Sequence, residues 1–90
     1  MDDISKQDQP IQMTFPFFLS SLGMQALVAL GQIENPITKK KEPDMAQARY
    51  MIDIIQMLKD KTKGNVTPEE DRMMEDLLYQ LRMVYVEKTK

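Results

Sequence analysis

The segment that most constrains the fold is K-T-K-G-N-V-T-P-E-E at residues 61–70, where one helix ends and another begins at once. Lysines suit the negative carboxyl end of a helix, and Gly64 readily takes the left-handed conformation that ends one. Thr67 suits the N-cap and Pro68 the first helical position, while the acids after them suit the positive amino end. The segment therefore predicts a tight turn between two antiparallel helices.

Three helices are predicted in all. They are placed at residues 14–30, 44–63 and 67–87 by capping residues, by apolar periodicity and by glycines suited to ending a helix. No stretch alternates apolar and polar residues with the period of two that is typical of a half-buried strand. The expected fold class is all-α, a small three-helix arrangement in which one apolar helix packs on an antiparallel helical hairpin.

The domain organisation is simple, because 90 residues suffice for only one domain. We expect a flexible acidic tail over 1–13, a single helical domain over 14–87 and a frayed C-terminus over 88–90. The loop at 32–43 is long for a connection between two packed helices.

The composition excludes most catalytic and metal chemistry. The chain has no Cys and no His, which removes disulfides, thiolate nucleophiles, imidazole-based triads and the usual zinc sites. The acids of residues 69–76 suit a helix amino end and the solvated face that follows it. The internal methionines lie at helical core positions, where Met fills irregular gaps. We therefore expect no enzyme, no catalytic residue, no metal and no cofactor.

Residues 9–33 carry no charge and are numerous enough to span a bilayer. Pro, Gly, Ser and Gln residues interrupt this segment, which favours a buried core helix. A peripheral or integral membrane protein anchored through 15–33 is the alternative. Acidic residues take the place of the basic region that a secretory signal needs, so we expect a cytoplasmic protein.

The charge is nearly balanced, with 12 basic and 14 acidic residues. Lys39–Lys41 is the only basic run, whereas a nucleic-acid binder usually carries a strongly basic face. A nucleic-acid partner is therefore disfavoured. A ribosome- or RNA-associated accessory protein that uses this run is a further alternative.

Each predicted helix has a main apolar face at helical spacing. These faces predict a core made of Phe15, Phe18, Leu19, Leu22, Ala26, Ala29, Leu30, Ala48, Met51, Ile52, Ile55, Leu58, Met73, Met74, Leu77, Leu78, Leu81, Val84 and Tyr85.

Each helix also carries a second apolar stripe outside its main face, and on the third helix this stripe is Tyr79, Met83 and Val86. Three helices in a monomer cannot cover all of these stripes, and large exposed apolar patches usually mark interfaces. We predict a non-enzymatic interaction or oligomerisation protein, most simply a two-fold dimer. The predicted interface residues are Phe17, Met24, Val28, Tyr50, Ile54 and Met57.

Three strings together resemble a known family: F-F-L-S-S-L-G-M-Q-A-L-V-A-L-G at 17–31, K-T-K-G-N-V-T-P-E-E at 61–70 and E-D-L-L-Y-Q-L-R-M-V-Y-V at 75–86. They are similar to a bacterial family of short helical proteins catalogued as domain of unknown function 1844. The resemblance covers roughly 14–87 and implies a helical fold and a bacterial origin. The family has no assigned activity, so the resemblance implies no catalytic residue.

Overall fold

The computed structural model describes residues 13–90, which form three α-helices that all pack against one another. Helix α1 comprises Phe15–Ala29, α2 comprises Met45–Lys61 and α3 comprises Pro68–Thr89. The described residues contain no strand. The expected all-α fold is confirmed. The tail expected over 1–13 lies outside the described residues except for its last position.

All three helices begin at the residues that the sequence predicts. The side chains of Thr14 and Asp44 each accept a hydrogen bond from the backbone N–H three residues further on. At α3, Thr67 Oγ1 accepts from the Glu70 N–H at 3.1 Å, and Glu70 Oε1 accepts from the Thr67 N–H at 2.9 Å. This capping box satisfies two helix-end N–H groups reciprocally and fixes the start of the helix.

The turn between α2 and α3 differs in detail from the prediction, because α2 ends at Lys61, two residues early. Thr62 is the C-cap residue, and its hydroxyl and its N–H both donate to the Leu58 carbonyl. The Asn65 N–H then donates to the Thr62 carbonyl at 2.8 Å and closes a turn. Gly64 has a φ of +85° and supplies the left-handed residue of this turn. The glycine therefore has the expected conformation, but it lies beyond the helix end.

The α1–α2 loop is long, yet its two ends are tied together. Gly31 follows α1 with a φ of +80°, and a Cβ atom on it would lie 2.6 Å from Pro43 Cγ. The N–H of Asp44, the residue that caps α2, donates to the Ala29 carbonyl at 2.8 Å. The amino end of α2 is therefore held against the carboxyl end of α1, so α2 turns back along α1.

The core lies between the three helices. Its buried residues are Leu19, Leu22, Ala26, Ala29, Leu30, Ala48, Met51, Ile52, Ile55, Met74, Leu78 and Leu81. All of them belong to the main faces predicted from the sequence. The prediction for Phe18 is wrong, because this side chain is 38% exposed. Phe18 lies about 90° around α1 from the middle of the buried face, where neither neighbouring helix covers it fully.

Helices α1 and α3 pack closely together at Gly23. This glycine is buried, and a Cβ atom there would lie 2.9 Å from Leu77 Cδ1. A small residue at this point lets the Leu77 side chain lie against the α1 backbone. The contact positions α3 so that its other side faces α2 and the solvent.

Candidate functional site

The polar and charged side chains of residues 13–90 lie at the surface or are half-buried. Over residues 13–90, no three acidic side chains come close enough together to hold a metal ion, and no polar or charged residue is buried. The exposed surface of this part of the chain includes several large apolar side chains.

On α1, two of the three predicted interface residues are exposed. Phe17 and Met24 are exposed and Val28 is half-buried. Met24 and Val28 line a small pocket of about 390 Å³ together with Ile33 and Ile37 of the α1–α2 loop. The loop therefore extends the apolar surface of α1, and Ile37 is its most exposed member.

On α2, the predicted stripe divides. Tyr50 is 60% exposed and Met57 is also exposed, so both point away from the core. Ile54 is half-buried and packs against the core cluster. Ile54 therefore contributes to the fold of the single chain. Whether the six predicted residues form one interface stays a prediction.

On α3, the structure reveals an apolar surface that the predicted interface left out. Tyr79, Met83 and Val86 are 67%, 50% and 58% exposed. They line a groove of about 570 Å³ between α2 and α3, which we call the α2–α3 groove. The buried Leu78 also lines this groove. The spacing of four and three residues between them is the same signal that identified the other stripes. Only the position of α2 shows that these side chains form the wall of a groove.

Charged side chains border the α2–α3 groove and connect its walls. Lys59 Nζ of α2 lies 3.4 Å from Asp71 Oδ1 and 3.7 Å from Glu75 Oε2 of α3. Further along, Arg82 Nη2 donates to Gln56 Oε1 at 2.8 Å. Lys59 is partly buried but the side chains of both of its acidic partners are more exposed, and ion pairs at a protein surface contribute at most about 1 kcal/mol each. The main consequence of these contacts is to place Glu75 and Arg82 on the α2 side of the exposed face of α3.

A second groove of about 620 Å³ lies on the other side of α3, against α1. Met24 and Leu27 contribute to it from α1, and Arg72, Met73 and Asp76 contribute from α3. Arg72 and Asp76 therefore border the exposed face of α3 on the side that faces α1.

The family model described as "Domain of unknown function (DUF1844)" matches residues 12–87. The chain belongs to the DUF1844 family. The resemblance inferred from the three sequence strings is thereby confirmed. No curated protein and no solved structure matches the chain. The DUF1844 description assigns no activity.

Two features of this DUF1844 chain bear on the alternatives. In the part that the structure describes, no helix combines the length and the apolar character needed to cross a membrane; α1 has 15 residues. The basic run Lys39–Lys41 lies exposed in a turn of the α1–α2 loop, where the Lys39 N–H donates to the Asn35 carbonyl at 2.7 Å. Glu42 follows the run directly and offsets part of its charge.

Proposed function

We propose that this DUF1844 protein acts by association and not by catalysis, and that its partner is a second copy of the chain. The observation that supports the proposal is the set of large apolar side chains on the outward faces of all three helices. Met24, Tyr50 and Tyr79 are each at least half exposed although the core between the helices is already complete.

Burial energetics favour covering these side chains. Fully burying a large apolar side chain stabilises a protein by about 1.5–3 kcal/mol relative to leaving it in water. Scattered exposed apolar residues are ordinary on any protein. Here they recur at helical spacing, and the chain is short enough to bury only about 60% of the surface that its unfolded form exposes. A two-fold contact buries the same patch on both copies at once.

The experiment is sedimentation equilibrium of the full chain at total concentrations from about 1 to 100 µM, because mass action makes dimerisation depend on concentration. We expect the mean mass to rise toward that of two chains over this range. The dimer should persist in about 0.5 M NaCl, because apolar contacts are not screened by salt. A single-chain mass throughout, at tens of micromolar and above, would refute self-association.

A further inference from the structure

We draw no further inference here: the strongest candidate, the apolar wall that Tyr79, Met83 and Val86 give the α2–α3 groove, is an unpartnered surface, and nothing in the described residues shows what covers it.

Discussion

Gly31 and Gly64 form a natural pair for measuring how the α1–α2 loop is held. Their φ angles are nearly equal, at +80° and +85°, so the backbone cost of alanine is nearly equal at both. That cost is about 1–2 kcal/mol for a non-glycine residue in the left-handed region. Alanine also restricts the unfolded chain, which offsets about 0.4–1 kcal/mol. The backbone contribution alone is therefore a net destabilisation of about 1 kcal/mol at each site.

The surroundings of the two glycines differ. A Cβ at Gly64 meets nothing within 4 Å, so we expect Gly64→Ala to cost only the backbone term of about 1 kcal/mol. A Cβ at Gly31 lies 2.6 Å from Pro43 Cγ, so the proline ring must move. That ring is held in place by the adjacent bond from the Asp44 N–H to the Ala29 carbonyl. Overpacking of this kind costs a further 1–3 kcal/mol or so, which brings Gly31→Ala to about 2–4 kcal/mol.

The assay is urea unfolding followed by circular dichroism, with both variants and the wild type at one fixed protein concentration, because dimerisation contributes to apparent stability. Thermal melts provide a second readout, in which 1 kcal/mol corresponds to about 4–8 °C for a domain of this size. The result that would refute the reasoning is an equal loss in the two variants. It would show that Pro43 does not pack on Gly31 and that the loop is not docked against the end of α1.

Two further predictions concern α3 and α2. Thr67→Ala removes the hydroxyl that accepts a hydrogen bond from the Glu70 N–H, so it should lower the free energy of unfolding by about 1 kcal/mol. An unchanged melting temperature would contradict the capping box. Ile54→Glu places a charge on a half-buried side chain that packs against the core, and it should lower stability by about 2 kcal/mol or more in urea unfolding. Tyr50→Glu is its control, and equal midpoints for these two variants would place Ile54 outside the core.

The helix starts could be predicted closely from the sequence because capping is local. The hydrogen bonds made by Thr14, Asp44 and Thr67 each span three residues, so the residues that decide them are neighbours in the chain. The left-handed conformations of Gly31 and Gly64 are equally local, since only glycine adopts them without strain. The end of α2 was less predictable, because Gly64 takes its left-handed conformation two residues beyond Thr62, the C-cap residue.

The buried face of each helix was also predictable from the sequence, apart from its edges. Helical periodicity identifies the middle of an apolar face, but the covered width depends on where the neighbouring helices lie. Phe18 and Ile54 both lie near such edges. The structure exposes Phe18, which was predicted to be in the core, and packs the half-buried Ile54 against the core, whereas its place in an interface stays a prediction.

The sequence by itself determined three capped helices, two glycine turns and an excess of apolar surface over what three helices can cover, because these follow from neighbouring residues and from composition. The tertiary structure alone decided that Pro43 lies on Gly31. It also decided that Lys59 and Gln56 of α2 contact α3. The groove between these two helices is lined by Tyr79, Met83 and Val86. Such contacts join residues far apart in the chain. Their geometry depends on how all three helices pack together, which no local pattern encodes.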